Sequence, residues 1–307
     1  MRQSPVPALG ENCYSHLMSA PTSQVNATPA ARVIARDADW VLNEFTCHAG
    51  PQDRPFEERH ASFAMAAVLE GSFQYRCDNG RALLYPGAVM LGNLGACYEC
   101  GHEHGSGDRC VSLHLSPALF GEIAASMAGS SGFQFRAAML PALNSLTRPM
   151  AQIAALAANT STSNHMAVEE LVIDMAETVV EAVAGGNARS AMLSAVDSRR
   201  ISRVLRHIEA HAAEAIDLAG LASVACMSKY HFLRSFRRST GVTPHQYLLG
   251  LRLRRAAQRL CSSRDPVSAI AYDAGFGDLS TFNASFRARF GASPGSFRSA
   301  YGRLIAA

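Results

Sequence analysis

One short stretch of the N-terminal half gathers the side chain types that hold metal ions: Cys97-Tyr98-Glu99-Cys100-Gly101-His102-Glu103-His104, then Cys110 beyond Gly105-Ser106-Gly107. Thiolate sulfur and imidazole nitrogen are soft or borderline donors, suited to zinc or to reduced copper. On an extended strand alternate residues share a face, so Cys100, His102 and His104 would project together. An odd-length hairpin loop through the glycines would return Cys110 to that face. The expected ligands are therefore Cys100, His102, His104 and Cys110, with Cys47, His60 and Cys97 as further candidates, and zinc or another thiophilic ion as the cofactor. Two other readings fit the same residues. Cys97 with Cys100 or Cys110 would make a thiol redox switch, and cysteines also serve as inert small core residues while histidines satisfy polar edges.

A second set of residues has the chemistry to read DNA. In Lys229-Tyr230-His231-Phe232-Leu233-Arg234-Ser235-Phe236-Arg237-Arg238, the two phenylalanines stand four apart and face a core. Lys229, Tyr230, Leu233, Arg234 and Arg237 then fall largely on the opposite side. The Arg234 guanidinium can bond both acceptors of a guanine edge. Arg237 and Arg238 suit phosphates, and Ser228 opens the segment. About 50 positions later comes Leu279-Ser280-Thr281-Phe282-Asn283-Ala284-Ser285-Phe286-Arg287. There Asn283 is placed to read adenine and Leu279 to touch a thymine methyl. Ser280 and Arg287 complete that face, and Asp278 reads as a helix cap.

These residues need helices to position them, and the same unit supplies them twice. Phe232 matches Phe282, Phe236 matches Phe286, Gly241 matches Gly291 and Pro244 matches Pro294, all at a spacing of 50. Each copy has a short positioning helix, a turn (Cys226-Met227-Ser228 or Gly275-Phe276-Gly277) and a second helix for the major groove. Between them Tyr247–Leu260, with Arg252, Arg254, Arg255 and Arg259, reads as a rigid basic spacer.

The N-terminal half has another texture. Residues 1–30 are rich in Ser, Pro, Ala and Thr without periodicity. From about Ala31 to Leu115 the pattern is β: Ser72–Cys77 alternates faces, Asp78-Asn79-Gly80 is a turn signal, and Arg81–Leu84, Ala88–Leu91 and Val111–Leu115 read as strands. Short strands at this spacing suggest a small antiparallel barrel or jelly roll. Ala118–Ala128, Ala151–Ala158 and Val168–Ala184 are helical. In the last, Leu171, Met175, Thr178 and Val179 form a stripe that serves either internal packing or a dimer seam. Gly185-Gly186-Asn187 ends that helix.

Charge divides the chain at the same place. The whole carries 28 Lys+Arg and 25 Asp+Glu, but from Ser198 onward the count is 17 basic to 6 acidic, leaving 11 to 19 before it. A basic helical domain is drawn to phosphate, while the acidic half avoids it. The first thirty residues lack a charged start followed by an apolar run, and no stretch reaches the ~18 apolar residues of a membrane span. A cytoplasmic protein without membrane partners is expected, and in a reducing compartment its eight cysteines would be thiols or ligands.

The segment Ile216–Phe297 resembles the DNA-binding domain of the AraC/XylS family of bacterial transcription regulators. The matching motifs are Leu221-Ala222, Ser228-Lys229-Tyr230-His231, Phe236-Arg237, Gly241, Pro244 and Tyr247, then Ile270-Ala271, Gly275-Phe276, Phe282, Phe286, Phe290-Gly291 and Pro294. The resemblance implies two helices in successive major grooves, with Tyr230, Leu233, Arg234, Leu279, Ser280 and Asn283 at groove-facing positions. It also implies a cupin-like sensing barrel at the N-terminus. The expected architecture is α+β: a lead-in over residues 1–30, a cupin-like antiparallel β-barrel with flanking helices over 31–190 that senses and dimerises, and an all-α double helix-turn-helix domain over 198–307. Expected partners are double-stranded promoter DNA, RNA polymerase and a second copy of the chain. The alternative is a metal-dependent cupin enzyme fused to a DNA-binding domain, with the Cys/His cluster catalytic.

Overall fold

A computed structural model describes residues 30–53, 55, 57–102, 107–158, 165–188 and 195–301. Its N-terminal part is built on two antiparallel sheets. The larger comprises β1 (Ala30–Arg36), β2 (Trp40–Cys47), β4 (Phe63–Gly71), β7 (Val89–Gly92), β9 (Asp108–Leu115) and β10 (Met139–Leu140), in the order β1-β2-β9-β4-β7-β10. The smaller comprises β3 (Glu57–Arg59), β5 (Phe73–Cys77), β6 (Gly80–Leu84) and β8 (Cys97–Gly101), in the order β3-β8-β5-β6. The hairpin expected around Asp78-Asn79-Gly80 is present, with Cys77 opposite Gly80.

Side-chain alternation gives the larger sheet two apolar faces. Met65, Ala67, Val89, Leu91, Val111 and Leu113 pack against three helices, α1 (Pro117–Ala128), α2 (Asn144–Ala158) and α3 (His165–Ala184). Ala66, Val68, Met90 and Cys110 point the other way, onto Phe73, Tyr75, Ala82 and Leu84 of the smaller sheet. The stripe on α3 belongs to the first of these cores: Leu171, Met175 and Val179 are buried, and the Thr178 hydroxyl bonds the Asp174 carbonyl. Internal packing, not a dimer seam, accounts for it.

The expected barrel does not close. Among the described residues the outer strands β1, β10, β3 and β6 each pair on one side only. With three residues in β3 and two in β10, neither is long enough to carry a ladder from one sheet to the other. The layers are helices, six-stranded sheet, four-stranded sheet.

Seven further helices follow: α4 (Ala195–Ala210), α5 (Leu218–Val224), α6 (Lys229–Thr240), α7 (Pro244–Ser262), α8 (Val267–Asp273), α9 (Leu279–Phe290) and α10 (Pro294–Tyr301). They form two cores divided by α7. Phe232 and Phe236 lie with Ile201, Leu205 and Ile208 of α4 in a core continuous with the smaller sheet. Phe282, Phe286, Phe290 and Phe297 form the other, closed by Ala151 and Ala155 of α2. No helix among the described residues is long and apolar enough to cross a membrane.

Candidate nucleic-acid interface

The two repeats share their turn-closing bonds and the caps of their second helices, while only the first caps its positioning helix with a side chain. Asp217 caps α5 by accepting from the Gly220 amide at 2.6 Å. After α5 the Met227 amide bonds the Ala222 carbonyl at 3.0 Å, and after α8 the Phe276 amide bonds that of Ala271 at 3.1 Å. These six-residue closures reverse the chain and require a left-handed residue inside the turn. In the second copy that residue is Gly275, with φ +92°. In the first it is Cys226, with φ +51° and no other non-glycine residue at positive φ among those described. Ser228 then caps α6 by accepting from the His231 amide at 3.3 Å, and Asp278 caps α9 by accepting from the Thr281 amide at 2.7 Å. That bond holds the Asp278 carboxyl below its ordinary pKa, in keeping with the capping role read from the sequence. Gly241 and Gly291 end the two helices in the left-handed conformation.

This geometry separates a core face from a free face. Phe232, Phe236, Phe282 and Phe286 are each fully buried. Lys229, Tyr230, Arg234, Arg237 and Arg238 are exposed on α6 and Leu233 is half-buried, and Tyr230 keeps 74% of its surface. On α9 Ser280, Asn283 and Arg287 are exposed and Leu279 is half-buried. His231 and Thr281 share these free faces although base chemistry did not single them out. Both sit beside the helix starts that a groove-bound helix presents to base edges. Ser228 is committed through its hydroxyl to the cap.

The spacer helix departs from its simple reading as a charged rod. Arg252 donates to the carbonyls of Ala212 and Glu214, Arg254 to Pro86 and Arg255 to Glu209, while Arg259 pairs with Asp265 and Asp273. Its arginines are spent on bonds within the protein, fastening α7 to α4 and the connection after it, to α8 and the residues just before it, and to the turn between β6 and β7. With 19 residues it runs about 28 Å at ~1.5 Å per residue, comparable with the ~34 Å between successive major-groove faces.

The helices are tied to the sheets by polar bonds as well as by the shared core. Tyr85 donates to the Thr240 carbonyl at the end of α6, and Arg289 donates to Asn144 on α2. The Gly71 amide donates to the Glu209 carboxylate at 3.1 Å. Burial pushes the Glu209 carboxyl up to about 7, against the pull of that amide and of Arg255 and Arg254. A cleft of about 530 Å³ runs along this seam, walled by Cys47, Glu70 and Asp108 on one side and by Arg206, Glu209 and Arg255 on the other.

Beside this cleft, whose wall includes Cys47 and Asp108, two of the residues expected to bind metal come together with a third that was not, in a different combination. β8 and β9 are not a hairpin but belong to different sheets, so Cys100 and Cys110 approach from opposite layers. Ligand atoms of Cys47, His102 and Asp108 lie within 4.8 Å of one another. His102 Nε2 is 2.5 Å from Asp108 Oδ1, and the Cys110 thiol donates to Asp108 Oδ2 at 3.0 Å. Burial alone would lower the His102 pKa, but the bonds to Asp108 and Cys47 raise it to about 9. Burial holds the thiols of Cys100 and Cys110 well above the ordinary range, which makes them poor redox nucleophiles. Cys97 sits on the face of β8 opposite Cys100 by strand alternation. His60 is elsewhere, bonded to Tyr75 at 2.9 Å and stacked on Tyr98 at 4.1 Å. His104 is outside the described residues. Asp108 carried no signal in the sequence, since an aspartate after Gly-Ser-Gly reads as a turn residue.

Residues 221–300 match a family model described as a helix-turn-helix domain. The chain is 36% identical over 111 residues to the probable transcriptional regulator LumQ of Photobacterium leiognathi, an alignment covering 34% of this chain and 44% of LumQ, so it spans less than half of that relative. It is 23% identical over 221 residues to the HTH-type transcriptional regulator YbfI of Bacillus subtilis (strain 168), covering 72% of this chain and 78% of YbfI. Among solved structures, a transcriptional regulator from Chromobacterium violaceum of the proteins containing an AraC-type DNA-binding domain is 25% identical, with a TM-score of 0.32, over 34% of this chain and 95% of that one.

Proposed function

We propose that the chain is a sequence-specific DNA-binding regulator of transcription whose C-terminal helices, matched over residues 221–300 by a helix-turn-helix family model, bind DNA as an AraC-type domain does. In this reading α6 and α9 enter neighbouring major grooves of promoter DNA. Arg234, Tyr230 and Leu233 read one half of the site, and Asn283, Ser280 and Leu279 the other. Lys229, Arg237, Arg238 and Arg287 hold phosphates. The observation that carries it is the repeated division of each helix into a buried phenylalanine face and a free polar face, with none of the α6 arginine side chains bonded to another described residue.

The N-terminal sheets and helices act as the signal-receiving part. Their fusion with the first repeat's core, and the bonds of Tyr85, Gly71 and Arg254 across the seam, support that role. A signal there changes promoter affinity only if it binds the DNA-competent and incompetent arrangements unequally. Recruitment of RNA polymerase and pairing of two copies on the promoter complete the reading.

Selection of bound oligonucleotides from a random pool, using the full chain, tests it. The expected product is a two-part motif with centres about one helical turn (~10 base pairs) apart. A pool that shows no enriched motif, with equal affinity for cognate and random DNA, overturns it.

A further inference from the structure

We propose that Cys47, His102 and Asp108 bind a single divalent cation of the zinc class where the ends of β2 and β9 in one sheet meet the end of β8 in the other. The three ligand atoms come from separate places in the chain: the end of β2, the residue after β8 and the start of β9. They converge within 4.8 Å. Bond lengths of ~2.0–2.3 Å place tetrahedral ligand atoms about 3.3–3.8 Å apart, so the site needs only small rotamer adjustments to close on an ion. One sulfur, one nitrogen and one oxygen make a borderline donor set, which suits zinc better than the softer reduced copper. Thiolate and carboxylate together carry two negative charges, so a divalent ion makes the site neutral. That matters because Cys47 and His102 keep only 8% and 7% of their surface, and uncompensated charge there is costly.

The backbone is shaped for this convergence. Cys47 and Asp108 are direct cross-strand partners. A Cβ on Gly107 (φ +84°) would stand 2.0 Å from the Cys47 carbonyl oxygen, so only glycine lets the chain reach Asp108 along this line. The Cys110 thiol, on Asp108 Oδ2, supplies the outer bond that ligating carboxylates ordinarily receive. On uptake the proton held between His102 and Asp108 and the Cys47 thiol proton both pass to solvent, and the ion takes their place. Three protein ligands leave a fourth position for water.

The test uses the metal-stripped full chain. Titration with Zn2+ against a chromophoric chelator should give one equivalent, and Co2+ should produce a thiolate-to-cobalt charge-transfer band together with tetrahedral d–d bands. Cys47→Ser, His102→Gln and Asp108→Asn should each weaken binding by more than the ~10–100-fold that loss of an outer partner costs. Cys110→Ala should fall within that range and Cys97→Ser should change nothing. Circular dichroism establishes that each variant is folded. If one of the three is not, the other two carry the decision. No stoichiometric uptake by the wild type, a cobalt spectrum without the thiolate band, or uptake undiminished in the folded ligand variants overturns the proposal and leaves a hydrogen-bonded His102–Asp108–Cys110 chain.

Discussion

The two helix-turn-helix repeats share a skeleton and differ in everything laid over it. Phe232 and Phe236 answer to Phe282 and Phe286, Gly241 to Gly291 and Pro244 to Pro294, and the closing bonds of the two turns agree within 0.1 Å. The first repeat nevertheless shows Lys229, Arg234, Arg237 and Arg238 on its free face, whereas the second shows Ser280, Asn283 and Arg287 behind an aspartate cap. The first is rooted in the core of the smaller sheet and the second in a ring of phenylalanines closed by Ala151 and Ala155 of α2. What the comparison teaches is that burial and turn geometry preserve a repeat, while surface and attachment are free to specialise. The first copy carries more of the exposed basic side chains and shares its core with the smaller sheet, while the second meets the N-terminal part through α2.

The largest expected effect breaks one core at a time. Phe236→Ala and Phe286→Ala should each cost about 3–5 kcal/mol, as for other buried aromatics. Their reach should differ. Hydrogen exchange in Phe236→Ala should accelerate in α4–α6 and also in β5 and β6, because one core joins them. In Phe286→Ala the acceleration should stay within α8–α10 and the adjoining end of α2. Identical exchange patterns in the two variants would show that α7 does not separate the cores.

The turns come next. An added Cβ at Gly275 would stand 2.8 Å from Ala213 Cα and 2.9 Å from its carbonyl oxygen, on top of a left-handed backbone. Gly275→Ala should therefore cost about 2–3 kcal/mol from backbone strain and overpacking. A midpoint in denaturant unchanged from wild type would mean that the α4–α5 connection yields, and that the second turn is no tighter than the first.

Readout should follow the charge difference. Arg234→Ala should cost about 1–3 kcal/mol on the selected site and relax one base pair. Asn283→Ala should cost less. Arg237→Ala should weaken all sequences alike and lower the salt slope by about 1. Equal losses for Arg234→Ala and Asn283→Ala would erase the asymmetry drawn between the copies.

Much of this asymmetry was legible before any coordinates. The 50-residue register, the buried phenylalanines and the Asp278 cap follow from period and propensity, which are local. The strands around Phe73–Leu84 were legible for the same reason. Pairing between distant strands was not. Gly105-Ser106-Gly107 between two strand-like runs reads as a hairpin, yet β8 pairs with β3 and β5 while β9 pairs with β2 and β4, in different sheets. The partners of Arg252, Arg254 and Arg255 are backbone carbonyls, which leave no mark in a sequence. Asp108 became a candidate ligand only once its cross-strand pairing with Cys47 was visible.

The attachment of the first repeat should respond to pH through Glu209. Its carboxyl titrates at about 7 in the folded chain, up from 4.5, because burial disfavours the anion. A raised carboxyl pKa contributes stability that is full below about 4.5 and is lost as pH rises through about 7. The groups facing it are Glu70 on β4, Arg206 on α4, and Arg254 and Arg255 on α7. Raising the pH across this window should loosen α4 and the first repeat by about 1–3 kcal/mol while sparing α8–α10. Glu209→Gln should flatten the profile, and a pH dependence unchanged in that variant would move the titration to another group.

The smallest expected effect sharpens the comparison most, because it is the one with the opposite sign. Cys226 occupies the turn position that Gly275 fills in the second copy, but its side chain is exposed, and the Arg203 guanidinium donates to its sulfur at 4.0 Å. A left-handed non-glycine residue costs about 1–2 kcal/mol, and glycine returns roughly 0.5–1 kcal/mol of that through the entropy of the unfolded chain. Cys226→Gly should therefore stabilise the protein by up to about 1 kcal/mol, where Gly275→Ala destabilises it. The gain should appear as a higher denaturant midpoint at constant m-value, with DNA affinity unchanged because no base-reading side chain is altered. If Cys226→Gly lowers the midpoint, the left-handed cysteine is held by contacts worth more than its strain. The first turn would then be specialised in its own right, and not a copy that merely tolerates the wrong residue.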